Sequence, residues 1–182
     1  LFLEVENNYK FKKVLIIYNV FTDDLNNNLL NNKNRIIVGK NSELHIIEYN
    51  INQSSKKFIN NTTESILLNE NAILKTINLQ ENNNDGFFYK FTESKMQYNS
   101  NYSGFIFSSG PKFNKIDMQF DLEGENSDCS IKSALFINKD DHQEIKTKIN
   151  HIVPNCKSFQ KIKSVVETNG KGVYQGKIYV KD

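Results

Sequence analysis

Residues 35–50 read RIIVGKNSELHIIEYN and residues 65–80 read SILLNENAILKTINLQ, and the two lie over one another at an offset of 30 positions. Ile36 then meets Ile66, Ile37 meets Leu67, Val38 meets Leu68, Leu44 meets Leu74 and Ile47 meets Ile77. Between them Gly39 faces Asn69 and Asn41 faces Asn71, residue types that accept positive φ at low cost. Each copy is strand, short corner, strand. A strand pair repeating at this period marks a solenoid, in which each turn supplies an apolar stripe that only its neighbours can cover. The spacing therefore predicts an all-β chain wound as a parallel β-helix, with Leu44 and Leu74 stacked in a shared dry interior.

Upstream of the repeat, Leu1 to Phe21 is strand-like, and the unbroken run Val14–Ile17 suits a strand covered on both faces. Polar connections are expected at Asp23–Asn34 and Asn52–Thr63, and a turn at Glu81–Gly86. Downstream, Phe87, Phe88, Tyr89 and Phe91 start an aromatic strand, and Tyr98–Ser109 forms another, closed by Gly110 and Pro111. Alternation is clearest in Ile116, Met118, Phe120 and Leu122, set against Asp117, Gln119 and Asp121. After a turn at Gly124 and Asn126, Cys129, Ile131, Ser133, Leu135 and Ile137 alternate again, followed by Ile145, Thr147, Ile149, His151 and Val153. The last strands surround Val165, Val166, Val173, Tyr174, Ile178 and Tyr179, with Gly170, Gly172 and Gly176 as corners. No stretch has helical periodicity with a capped start. Strands so evenly spaced also suit a sandwich or barrel, and it is the aligned repeat that favours the solenoid.

At 182 residues the chain fits one domain, 1–182, and its start at Leu1 and finish just after Val180 suggest a core segment of a longer protein. Asn runs beside only 8 Gly and 2 Pro point to Asn taking left-handed corner positions. A net charge of +2 without a basic block gives no nucleic-acid footprint. The longest apolar run, Val14–Tyr18, is too short to span a membrane. Cys129 and Cys156 form neither a zinc motif nor a disulfide framework, which favours a reducing, cytoplasmic setting, with a plastid stroma as the alternative.

Candidate site residues are few. His45, whose counterpart in the second repeat is Lys75, suits a solvated face, and His151, level with Ile149, suits a half-buried, hydrogen-bonded position. His142 follows Asp140 and Asp141, a group that could bind a cation or simply make a turn. Cys156 precedes Lys157, Lys161 and Lys163, which could favour its thiolate, against a plain corner role; Cys129 belongs to a core face. Asp117 and Asp121 share a strand face, the minimum for a glycan-cleaving pair, but Gln119 between them suggests a solvated surface. Ser108, Ser109 and Gly110 make no nucleophile elbow. The expectation is no catalytic, cofactor-binding or metal-binding residue.

From His142 to Val180 the chain resembles the SufB/SufD family, the paired scaffolds of the SUF iron–sulfur cluster assembly system. The resemblance rests on Gln143, the run from Asn150 to Cys156, Ser158, Gln160, and Lys171-Gly172-Val173-Tyr174-Gln175-Gly176-Lys177-Ile178. The stretches Ile37–Leu44, Glu70–Ala72, Leu79–Gln80 and Leu122–Ser127 are similar to the same family, extending the likeness from about Val14 to the end, and the closing motif is nearer its SufD branch. The resemblance implies a right-handed parallel β-helix and a non-enzymatic scaffold that pairs with a SufB-like paralogue and a SufC-like ABC ATPase; independently of it, unpaired backbone groups at the final coil are expected to let the isolated segment pair with a second copy of itself. It further implies that flanking helical regions, the ATPase contact and the cluster chemistry lie outside this segment, so neither cysteine becomes a cluster ligand by kinship. A carbohydrate-active β-helix enzyme and an adhesin-like structural solenoid are the alternatives.

Overall fold

In the computed structural model, residues 1–181 are described, with the backbone alone for 82–84. Eleven strands follow in order: β1 (Phe2–Val5), β2 (Leu15–Phe21), β3 (Leu29–Val38), β4 (Glu43–Asn52), β5 (Ile59–Leu68), β6 (Ile73–Met96), β7 (Asn101–Leu122), β8 (Asp128–Ile137), β9 (His142–His151), β10 (Lys157–Val166) and β11 (Lys171–Val180). The sole helical element among the described residues is a 3-10 turn at Asp23–Leu25. All pairings between these strands are parallel, and the chain stacks as a β-solenoid of about 6 turns.

Two faces result. Sheet I is built of β1, β3, β5, residues 87–96, residues 113–122, β9 and β11. Sheet II is built of β2, β4, residues 73–81, residues 101–109, β8 and β10. The repeat is the register itself: Ile36 pairs with Ile66 and Val38 with Leu68 in sheet I, and Leu44 pairs with Leu74 in sheet II. Leu44, Leu74, Val38 and Leu68 are wholly buried.

Corners from sheet I to sheet II carry one asparagine each in the left-handed region: Asn8, Asn41, Asn71, Asn99, Asn126 and Asn155, at φ between 52° and 62°. Asn tolerates this backbone because its short amide bonds locally. Here the amides also bond along the solenoid. Asn41 Nδ2 donates to Asn8 Oδ1 (2.9 Å), Asn71 to Asn41 (2.8 Å) and Asn99 to Asn71 (2.7 Å). From Asn41 on, the next residue in each corner is small, and Ser42, Ala72, Ser100 and Ser127 are buried. At Gly124 a Cβ would lie 1.9 Å from the Tyr98 backbone nitrogen, so this corner admits only glycine.

Several boundaries differ from expectation. β2 is an outermost strand with Ile16, Tyr18 and Val20 exposed, so the Val14–Ile17 run is covered on one face only. The Asn-rich stretches 31–34 and 60–61 are strand rather than loop, because Asn pairs with Asn across turns: Asn32 Nδ2 donates to Asn60 Oδ1 (2.8 Å) and Asn61 Nδ2 to Asn31 Oδ1 (2.9 Å). No turn breaks 81–86: β6 runs through it with register shifts, the backbone bending from sheet II to sheet I. β7 bends likewise at Gly110, whose φ of 104° supplies the bend. Gly172 and Gly176 sit inside β11; the ring of Tyr174 leans over Gly176, where a Cβ would meet its Oη at 2.5 Å. Val153 lies past the end of β9.

Candidate functional site

Alternation carried on from Leu44 and Ile46 turns Glu48 inward, and alternation back from Leu68 and Ile66 turns Glu64 inward. Lys90 enters the lumen from the next turn. Its Nζ lies 2.9 Å from Glu48 Oε2 and 3.1 Å from Glu64 Oε1. Asn78 Nδ2 (2.7 Å) and Asn19 Nδ2 (2.8 Å) donate to the two Glu48 oxygens, and Thr92 Oγ1 donates to Glu64. Burial alone would raise the Glu48 carboxyl, but Lys90, Asn78 and Asn19 reverse this and hold it below its ordinary value. Burial alone would lower the Lys90 ammonium, and the two carboxylates instead hold it well above its ordinary value. A cavity of about 280 Å³ adjoins the cluster, lined also by Ile36, Ile106 and Met118 and reaching Leu1. Nucleophilic or Schiff-base chemistry needs a neutral amine. A lysine clamped between two carboxylates does not supply one, so the cluster is a fixed polar clamp inside the solenoid.

The residues singled out from the sequence do not converge. His45 points outward from sheet II, its Nε2 2.7 Å from Glu43 Oε1, with Lys75 paired beside it across the ladder as expected of a solvated face. His151 points inward, half-buried, its ring Nε2 2.9 Å from Ser158 Oγ. The His142 ring packs on Phe113 (5.1 Å between centroids), while Asp141 accepts from Asn138 Nδ2, so Asp140, Asp141 and His142 form a turn and a strand start. Among the described residues no three His, Cys, Asp or Glu side chains are grouped to hold a metal ion. Cys129 is wholly buried, and burial pushes its thiol up. Cys156 occupies the small-residue corner position above Ser127, whose Oγ is 3.3 Å from its Sγ. Asp117 and Asp121 lie on the outer face of sheet I, where Asp121 accepts from Asn150 Nδ2 and Asp117 pairs beside Lys146 across the ladder. Neither lines the cavity at the lumen cluster. Ser108 is buried and receives a hydrogen bond from Asn114 Nδ2 (2.9 Å).

Glu48, Glu64 and Lys90 went unnoticed in the sequence, although a signal existed. Each falls on the same parity as core residues of its own strand, where a charge must find a partner.

Both outer faces carry apolar columns, and on sheet I one runs Leu29–Ile59–Phe87–Phe113. Sheet I also carries ion pairs across turns, such as Lys115 Nζ with Glu144 Oε1 (3.6 Å), and within a strand, Lys146 Nζ with the same oxygen (3.2 Å). Sheet II carries two stacked apolar columns, Ile16–Ile47–Ile77–Phe105 and Tyr18–Tyr49–Leu79–Phe107. At the other end, the buried column Phe120–Ile149 continues to Ile178, which is 56% exposed.

The sequence from residue 20 to 182 matches the family model described as SUF system FeS cluster assembly, SufBD core domain. No curated protein matches the chain. A parallel solenoid with asparagine corners, a match over nearly its whole length and a role in SUF iron–sulfur cluster assembly go together, and the chain belongs to the SufB/SufD core-domain family.

Proposed function

We propose that the chain is the core of a non-enzymatic, SufD-like scaffold that pairs with a SufB-like paralogue and, through a region outside this segment, with a SufC-like ABC ATPase. The observation that carries the reading is the match of residues 20–182 to the SufBD core domain on a parallel solenoid. Tyr174, Ile178 and Val180 point into the lumen yet are 46%, 56% and 62% exposed, whereas Ile145 and Ile149, the ladder partners of Tyr174 and Ile178 one turn earlier, are buried. Apolar side chains facing the lumen of the last described turn are a surface that a further strand, of this protein or of a partner, can extend. The iron–sulfur cluster is the cargo of the full assembly. Cys129, packed in the core, and Cys156, packed at a corner, are proposed as structural. The glycan-cleaving alternative would need a groove around Asp117 and Asp121, and the family match supports the scaffold reading instead.

Co-expression of the full-length protein with SufB-like and SufC-like partners tests this proposal. A co-purifying complex, weakened by Ile178→Asp, is the expected result. A full-length protein that ignores both partners overturns the proposal, and a homodimer lost in Ile178→Asp would keep the surface but replace its occupant.

A further inference from the structure

We infer that the outer face of sheet II is a docking surface for an amphipathic helix whose apolar stripe ends in acidic residues. This goes beyond the assembly role and stands without it. The two apolar columns are not single exposed residues of the kind any surface shows. They are eight side chains stacked over four turns, with Ile16 46%, Tyr18 59% and Phe105 38% exposed, and the Tyr18 and Tyr49 rings stacked at 5.6 Å. A contiguous patch of this kind on a flat sheet marks an interaction site.

Charge identifies the occupant. Past Phe105 the first column continues with Lys132 and Lys161, and past Phe107 the second continues with Ala134 and Lys163. None of these three lysines is ion-paired among the described residues, and the one contact of note is Lys132 Nζ over the Phe159 ring at 6.0 Å. The two columns hold no carboxylate. Glu81 and Asp128 lie in flanking columns, and Glu43 is already engaged by His45 and Lys75. The two columns are therefore apolar at one end and cationic at the other, with Phe136, Phe159 and Val165 exposed on either side of the lysines, so their complement is apolar along its length and anionic at one end. A second copy does not fit: turned antiparallel, it would set its lysines against Ile16 and Tyr18, where no carboxylate receives them. Five inter-strand steps span about 24 Å, which a helix of about 16 residues covers at 1.5 Å per residue. A membrane surface fits less well, since the lysines stand at one end of the patch and not around its rim.

Two synthetic helical peptides of that length, sharing one apolar stripe but ending in glutamates or in lysines, test the inference by fluorescence anisotropy against the full-length protein. The glutamate peptide is expected to bind about tenfold tighter or better. Lys161→Glu with Lys163→Glu should invert the preference, and Phe105→Asp should weaken both peptides about tenfold. Phe105→Ser serves if the aspartate variant melts early. Equal binding of the two peptides, binding indifferent to both sets of variants, or no binding at all overturns the inference. So does tight association with phosphatidylserine vesicles that the glutamate peptide fails to compete away, which would assign the face to a membrane.

Discussion

The lumen is divided across its width. Beside the asparagine corners it is filled by Val38, Leu44, Leu68, Leu74, Met96 and Leu122, all wholly buried. A few ångströms further in, over the first three turns, it holds Glu48, Glu64, Lys90, Asn50, Asn78 and Gln80, closed off at the far side by the Phe21, Phe58 and Phe88 rings. The apolar half is held by burial, which is non-directional and graded with area. The polar half is held by matched partners, and each charge is tolerable there only because the others are present. Damage to the first should therefore scale with the atoms removed. Damage to the second should depend on which partners remain.

Lys90→Met is the sharpest way to break that distinction. It strands two carboxylates inside the lumen and is expected to cost about 3–5 kcal/mol in urea unfolding. Adding Glu48→Gln and Glu64→Gln should restore most of this, since a neutral set no longer needs a cation. A loss under about 1 kcal/mol for the single variant would mean that water admitted to the cavity solvates the carboxylates in place of Lys90. The pH profile separates the same two proteins. Glu48 is held below its ordinary value, so its contribution is present above the unfolded carboxylate pKa of about 4.3 and disappears as pH falls through the lower folded value. Lys90 is held above its ordinary value, so its contribution is complete below about pH 10.4 and is lost only in stronger alkali. Stability of the native protein should hence fall more steeply below about pH 4 than that of the triple variant. Lowered surface carboxylates such as Glu43 and Glu144 are common to both and cancel in the comparison.

Much of the apolar half was legible beforehand, because Ile36 over Ile66 and Leu44 over Leu74 repeat in the sequence at the spacing at which they stack. Asn41 and Asn71 were legible as corners for the same reason, their backbone requirement being local. The Asn-rich strands were not. Asn31, Asn32, Asn60 and Asn61 look like loop by propensity, and what makes them strand is the amide of the neighbouring turn, a contact between residues about thirty apart. The bend through 81–86 was misjudged for a related reason: the ladder on both sides keeps the backbone extended where the residue types alone favour a turn. The lumen cluster was hidden because Glu48, Glu64 and Lys90 each look like ordinary surface charges until strand parity is carried past the last aliphatic residue.

In the apolar half, Leu74→Ala removes a wholly buried side chain and is expected to cost about 2–5 kcal/mol, depending on how far the neighbouring turns close the gap. Ile77, three residues along the same strand, faces out at 36% exposure, and Ile77→Ala should cost about 0.5 kcal/mol or less. Equal costs at the two positions, measured by urea unfolding, would mean that the outer apolar columns stabilise the solenoid as much as its interior does, and would erase the line between core and surface in sheet II.

The smallest effect tests what closes the apolar half. Asn71 contributes in two ways, through its left-handed backbone at φ 57° and through amide bonds to Asn41 on one side and Asn99 on the other. Asn71→Ala loses both and should cost about 1–2 kcal/mol, the left-handed penalty for a residue with a Cβ and no local hydrogen bond being of that size. Asn71→Gly keeps the backbone freedom and loses only the exposed ladder, which water can replace, so it should cost less, about 0.5 kcal/mol. If glycine proves as costly as alanine, the amide ladder and not the backbone geometry is what selects asparagine at the corners from Asn41 to Asn99. The corners would then couple successive turns to one another, and Asn71→Gly should also loosen Asn99 one turn away, seen as faster amide exchange there.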